Sequence, residues 1–253
     1  MTGEKEGNGD ALPPPDEIRE VDRWMYQFTA QLAHDMRAPM GAIFMWAHVL
    51  RAADGGDNRA AVDAIEASAR QQSRMLADVV DMARALVGRL PVDRAVADLR
   101  AIVAGAVEDK SKDAAARRVT VEGPEPAGDE TGALRLKMDA RRLQQALGCL
   151  ILHGVANTSG GGRLSVRLGH LSGMATAEVR IRLPQAGVDP AAVDDLFAPY
   201  RASGLDLTAA RPDFGMGLPF ARAVVRLHGG TLDVENEGPG AALTFVARLP
   251  LAA

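Results

Sequence analysis

Phe28-Thr29-Ala30-Gln31-Leu32-Ala33-His34-Asp35-Met36-Arg37-Ala38-Pro39-Met40 sits inside a run whose apolar residues recur at Ile18, Val21, Met25, Phe28, Leu32, Met36, Pro39, Ile43, Trp46 and Leu50. Steps of three and four predict a long helix with one buried stripe. His34 lies two positions from both Leu32 and Met36. At roughly 100° per residue its ring points about 160° away from each, toward solvent or a partner. Asp35 follows it directly. Pro39 lacks the N–H that would bond the Asp35 carbonyl, which predicts a kink or a loosened turn beside the pair. Alone, such a histidine reads as an ordinary surface residue.

Working outward, residues 1–15 are rich in Gly, Glu and Pro and read as a disordered tail. Pro13-Pro14-Pro15-Asp16-Glu17 starts the first helix, which runs to about Ala53. Asp54-Gly55-Gly56-Asp57 is a turn, with Asp57 or Asn58 capping a second helix. That helix carries Val62, Ile65, Ala69, Gln72, Leu76, Val79, Ala83 and Leu86 at alternating steps of three and four, and Leu90-Pro91 ends it. The two helices form an antiparallel hairpin. Phe44, Val49, Met75 and Met82 widen its apolar faces beyond what one hairpin buries. Two copies pairing as a four-helix bundle would cover them, a homodimer. The alternative is a hairpin packed on its own C-terminal domain.

The chain's 253 residues are 47% apolar but only 4% aromatic, so its core relies on aliphatic side chains. A net charge of −4 gives no reason to expect nucleic-acid binding. The single cysteine, Cys149, rules out an internal disulfide and fits a reducing, cytoplasmic setting. No apolar run is long enough for membrane insertion, and the N-terminus lacks a signal-peptide pattern. Input is therefore expected through a partner or from outside the chain.

After a linker near residues 92–98 comes a short amphipathic helix (Leu99, Ile102, Val103, Ala106, Val107). Strand-like Val119-Thr120-Val121 and the alternating Leu134 to Met138 follow, then a helix over about 140–156. Two alternating strands cover 164–168 and 177–183, and a helix is expected over about 190–197. Another begins near Gly217 and ends at His228-Gly229-Gly230. A hairpin pairing 231–234 with 243–246 closes the chain, turning at Glu237-Gly238-Pro239-Gly240. The fold class is α+β: a helical hairpin followed by an α/β sandwich with helices on one face of a mixed sheet.

His34-Asp35-Met36-Arg37-Ala38-Pro39 resembles the H-box of two-component sensor histidine kinases. Phe214-Gly215-Met216-Gly217-Leu218 resembles their second glycine box, Leu196-Phe197-Ala198-Pro199-Tyr200 their phenylalanine box, and Leu227 to Leu232 the segment beyond it. The resemblance implies a phosphoacceptor hairpin over 16–92 and a Bergerat-type ATPase domain over 93–253. His34 would carry a phosphoryl group and Asp35 would orient the ring and act as general base. Arg37 and Met40 would face the response-regulator receiver domain. Ala38 stands where the family places a polar residue for dephosphorylation, so little phosphatase activity is expected.

The resemblance also implies ATP and Mg²⁺ as cofactors, with Asn157, Gly187, Gly215, Gly217 and Leu218 on the nucleotide side. Several positions depart from the pattern. Aligning Arg142 to Leu147 with the N-box puts Cys149 and His153 in place of its two asparagines, and neither offers the hard oxygen that Mg²⁺ prefers. Asn157 would substitute only by a register shift. The first glycine box aligns with Leu183-Pro184-Gln185-Ala186-Gly187, where Leu183 replaces the aspartate that binds adenine. Losing two such interactions, at ~1.5–3 kcal/mol each, weakens nucleotide binding by about 10²–10⁴-fold. Three readings follow: a histidine kinase with a divergent ATP site, a phosphotransferase shuttling phosphate between receivers, and a non-catalytic scaffold.

Overall fold

The computed structural model describes residues 36–51, 58–126, 134–170, 175–184, 186–197 and 216–251. His34, Asp35, Gly215, the N-terminal tail, the turn at 54–57 and the segment 198–200 lie outside them, as does the side chain of Met75. Helix α1 covers residues 36–51 and α2 covers Arg59–Leu86. Along α1 the expected stripe is the sheltered one. Pro39 is buried and Met36, Ile43, Trp46 and Leu50 are half-buried, while Phe44 and Met45 are exposed. The Gln72 side-chain amide donates to the Met36 carbonyl at 3.4 Å, which sets the first described residue of α1 beside the middle of α2, as an antiparallel hairpin requires. The helix α2 ends earlier than Leu90-Pro91 suggested. Val87 closes its last turn, and Gly88 then turns the chain with φ +68°, a conformation that glycine adopts at no steric cost.

The rest is built on a five-stranded sheet. Its strands are β2 (Thr120–Pro126), β4 (Arg163–His170), β5 (Thr176–Leu183), β6 (Thr231–Asn236) and β7 (Leu243–Pro250). Their spatial order is β2-β4-β5-β7-β6, with β2 parallel to β4 and every other pair antiparallel. Helices α3 (Leu99–Asp109), α5 (Ala140–Ala156) and α6 (Gly217–Leu227) pack side by side over one face. Leu143, Leu147, Leu150 and Ile151 of α5 meet Leu164, Ile181 and Phe245 of the sheet, all buried. The other face carries ion pairs, within β5 between Arg180 and Glu178 and across the sheet between Arg180 and Glu235 and between Arg248 and both Glu178 and Asp233, with Arg182 pairing Glu237 just beyond β6. Polar outside and apolar inside is what period-two alternation dictates for a sheet covered on one face.

Three local differences have local causes. The expected linker contains a strand, β1 (Ala95–Asp98), paired antiparallel with β3 (Arg135–Met138) in a separate two-stranded sheet. A short helix, α4 (Ser111–Ala116), was not anticipated. The single helix expected over 190–197 is two 3₁₀ turns, Pro190–Ala192 and Asp194–Phe197. The Asp189 carboxylate caps the first by accepting from the Ala191 N–H at 2.9 Å. Such a cap suits a tight turn as well as it suits an α-helix.

Candidate functional site

The described residues expected on the nucleotide side fall at the end of α5, in the loop after β5 and at the start of α6. His153, on the last turn of α5, is half-buried and meets Phe245 of β7 edge to face, with ring centroids 5.6 Å apart. Phe197 meets the same ring from another side at 6.1 Å, and the Arg222 guanidinium of α6 lies 4.4 Å over Phe197. The imidazole is therefore one member of an aromatic cluster. Cys149 is half-buried one turn earlier on α5. Asn157 is the residue that closes α5, and its side-chain N–H donates to the His153 carbonyl at 2.8 Å. Its amide thus completes its own helix end. Leu183 is wholly buried at the end of β5, opposite Leu243 of β7.

Gly187 has a steric reason to be glycine. A Cβ on it would stand 2.0 Å from the Gly238 carbonyl oxygen. Its N–H donates to the Ala241 carbonyl at 2.9 Å, and its own carbonyl accepts from Gly240 at 3.3 Å. This glycine lets the chain press against the β6–β7 turn, and Asn236 holds Val188 beside it through both its oxygen and its nitrogen. Gly217 and Leu218 open α6 and are buried. On the hairpin, Arg37 and Met40 are exposed on α1. Among the described residues, no group of three or more His, Cys, Asp or Glu is placed to hold a metal ion.

A joint below this region was not legible in the sequence. The Asp139 carboxylate caps α5 by accepting from the Arg142 N–H at 3.0 Å, and its second oxygen accepts from the Asp93 N–H at 2.9 Å. The Asp139 N–H donates to Nε2 of the buried His228 at 2.9 Å, and Nδ1 of that ring donates to the Val224 carbonyl at 2.8 Å. These partners fix the ring as the Nδ1–H tautomer. Burial raises the Asp139 carboxyl, but the two backbone N–H groups and the charges of Arg141 and Arg142 outweigh it and hold the carboxyl below its ordinary value of 3.8. A depressed folded-state value stabilises the fold above the ordinary value, and that contribution disappears as pH falls through the folded one. Asp139→Asn turns an N–H donor toward the Asp93 N–H or the Arg142 N–H. We expect it to lose about 1–2 kcal/mol at neutral pH and to flatten the stability curve below pH 3.8, as measured by urea unfolding at a series of pH values.

Two family models match consecutive parts of the chain. "His Kinase A (phospho-acceptor) domain" matches residues 24–87. "Histidine kinase-, DNA gyrase B-, and HSP90-like ATPase" matches residues 138–253. The chain belongs to the two-component histidine kinase family. Among histidine kinases and related sensors, it is 30% identical over 239 residues to the sensor protein DivL of Caulobacter vibrioides, which takes in 92% of this chain and 29% of that protein. It is 28% identical over 229 residues to the histidine protein kinase DivJ of the same organism, covering 89% of this chain and 37% of that protein. The chain thus spans about a third of the length of these histidine kinase-type relatives. Two solved kinase structures share the fold. Full-length ShkA, in complex with AMPPNP, has a TM-score of 0.59 at 20% identity, covering 88% of this chain and 45% of that one. The Acinetobacter baumannii histidine kinase AdeS has a TM-score of 0.51 at 16% identity, covering 87% of this chain and 98% of that one. No helix among the described residues of this histidine kinase-type chain is long and apolar enough to cross a membrane.

Proposed function

We propose that this protein carries a phosphoryl group on His34 and exchanges it with the aspartate of a response-regulator receiver domain. The observation that carries the reading is the match of the phospho-acceptor family model to residues 24–87, a span of the sequence that includes His34 and Asp35. In the transfer, an imidazole nitrogen attacks phosphorus, the bond from phosphorus to the aspartyl oxygen breaks, and the carboxylate leaves. Asp35 takes up the proton from the other ring nitrogen. Arg37 and Met40, three and six residues after His34 in the sequence, are exposed, which leaves them open to a docked receiver. The domain boundaries proposed are a tail over 1–15, the hairpin over 16–92 and the ATPase-type domain over 93–253. The uncovered apolar side chains Phe44, Met45, Val49, Val62 and Leu76 support pairing of two hairpins.

Loading of His34 from ATP is the second reading, and the ATPase family match over 138–253 favours it. The residues at the family's metal position do not fit Mg²⁺. A thiol and an imidazole held in an aromatic cluster offer no hard oxygen. Receiver-to-His34 transfer needs no such ligand from this chain. The deciding experiment incubates the protein with labelled ATP and Mg²⁺, and separately with a labelled phosphorylated receiver, beside His34→Ala. Label from the receiver that is lost in His34→Ala is the expected result. Label from ATP at comparable rate would establish the kinase reading, and no label from either source would leave a scaffold. His153→Asn returns an amide oxygen to the metal position. We expect it to raise ATP-derived labelling by about tenfold, equivalent to ~1.4 kcal/mol of recovered interaction.

A further inference from the structure

The end of α6 holds a buried histidine with no acceptor to spare. His228 closes that helix and is 7% exposed. Its Nε2 accepts from the Asp139 N–H at 2.9 Å, and its Nδ1–H donates to the Val224 carbonyl at 2.8 Å. Among the described residues the ring hydrogen-bonds nothing else. A protonated ring carries an N–H on both nitrogens. Its Nε2–H then points at the Asp139 N–H, donor against donor, in a buried place where an unmatched donor is costly. The Asp139 carboxylate is at hand, on the same residue as the N–H that touches the ring. One of its oxygens accepts from the Arg142 N–H and the other from the Asp93 N–H.

We propose that His228 and Asp139 form a proton-driven switch on the segment that enters the sandwich. A proton from solvent binds Nε2, and the Asp139 carboxylate turns to accept that new N–H. In turning it gives up the Asp93 N–H that it holds at neutral pH. Asp93 is exposed, so its freed N–H passes to water and is not stranded. The Asp139 carboxyl, held below its ordinary value of 3.8, is still ionised when an imidazole takes up its proton. Imidazolium therefore meets carboxylate, which makes a charge-assisted pair. The closed joint binds no proton at Nε2 and the switched joint binds one. Each pH unit below about 6.5, where a free imidazole ionises, thus shifts the balance toward the switched form by up to about tenfold. The joint is shut on the alkaline side of that range, and slack at Asp93 arises on the acid side.

The other charges on the elements packed there are engaged elsewhere or lie in solvent. Arg94 of the entering segment bonds the Leu227 carbonyl. On α5, Arg141 and Arg142 act on the Asp139 carboxyl, and Nη2 of Arg142 donates to Asp81 of α2 at 3.0 Å. Asp78 of α2 accepts from the Gln145 amide, and Arg84 is exposed. Asp233 of β6 pairs with Arg248 of β7. On α6 itself Arg222 lies over Phe197 and Arg226 is exposed, while the second 3₁₀ turn carries Asp194 and Asp195. Apart from Asp139, none of them hydrogen-bonds the ring. No step of the switch involves His34, so it stands apart from the phosphoryl-transfer reading.

The test follows single groups in the full chain by nuclear magnetic resonance between about pH 7.5 and about pH 5, the range in which imidazoles ionise. The ring nitrogens of His228 report its protonation, and amide exchange at Asp93 and Asp139 reports the joint. Protonation of the ring is expected to coincide with a fall of about tenfold in the protection of both amides. Val179 and Ala247, register partners in the β5–β7 ladder, are expected to keep theirs. His228→Gln still offers an acceptor to the Asp139 N–H and cannot become a cation. In that variant both amides are expected to change by less than about twofold over the same range. A wild-type ring that stays neutral throughout overturns the switch, and so does a protonated ring with both amides still protected. These wild-type outcomes decide the matter even if the variant does not fold. The full fall in folded His228→Gln also overturns it, since the proton then acts elsewhere, as does loss of ladder protection in step with Asp93, which marks global unfolding.

Discussion

Phe245→Ala is expected to remove about 3–5 kcal/mol from the stability of the ATPase-type domain. Phe245 is fully buried on β7, and its ring is the shared contact of His153 from α5 and Phe197 from the second 3₁₀ turn. Truncation deletes both edge-to-face contacts and leaves a cavity walled by elements that cannot close on it. Neighbouring Val246 and Ala247 are locked in the ladders to β5 and β6, and α5 is held at its start by the Asp139 cap. Rigid walls put the cost in the upper part of the known range. Thermal unfolding followed by circular dichroism should show a fall of roughly 10 °C or more. Phe245→Leu, which keeps most of the volume, should cost less than half as much. A fall of a degree or two in Phe245→Ala would mean that the cluster is not packed as described.

Gly187→Ala is expected to be nearly as damaging, at about 3 kcal/mol. The obstacle is backbone rather than a side chain that could swing aside. The new methyl would lie 2.0 Å from the Gly238 carbonyl oxygen and 3.1 Å from that of Ala241. Relief requires moving the whole β6–β7 turn, which breaks the Gly187–Ala241 and Gly240–Gly187 hydrogen bonds together. The loss should be the same with and without added nucleotide. A variant that folds with wild-type stability but binds nucleotide less well would show that Gly187 serves the ligand and not the turn.

Long periodic elements were readable from the sequence because their signals are local. The stripe through Met36, Pro39, Ile43, Trp46 and Leu50 repeats every three or four residues and needs no other part of the chain to be recognised. The same holds for α5, α6 and the closing hairpin. The strand β1 escaped because Ala95-Val96-Ala97-Asp98 is short and its partner begins some forty residues later at Arg135. A pairing of that kind leaves no periodic trace. The Asp81–Arg142 pair escaped for the same reason, being 61 residues apart, each an unremarkable charge on an amphipathic helix. Gly187 was visible as a motif remnant, but its steric role depends on where the 238–241 turn lies. Cys149, His153 and Leu183 were visible as departures from a pattern, and the structure adds what each of them touches or where it is buried.

The joint at Asp139 and His228 has a mechanical consequence. Asp93 is tied to the first residue of α5's cap, that cap is tied to a ring at the end of α6, and Arg94 bonds the Leu227 carbonyl alongside. The segment entering the sandwich is riveted at its threshold and provides no slack. A force that reaches Asp93 is therefore passed to the roots of both helices together, and the compliance needed for motion has to come from upstream of it, where Gly88 turns the chain after α2.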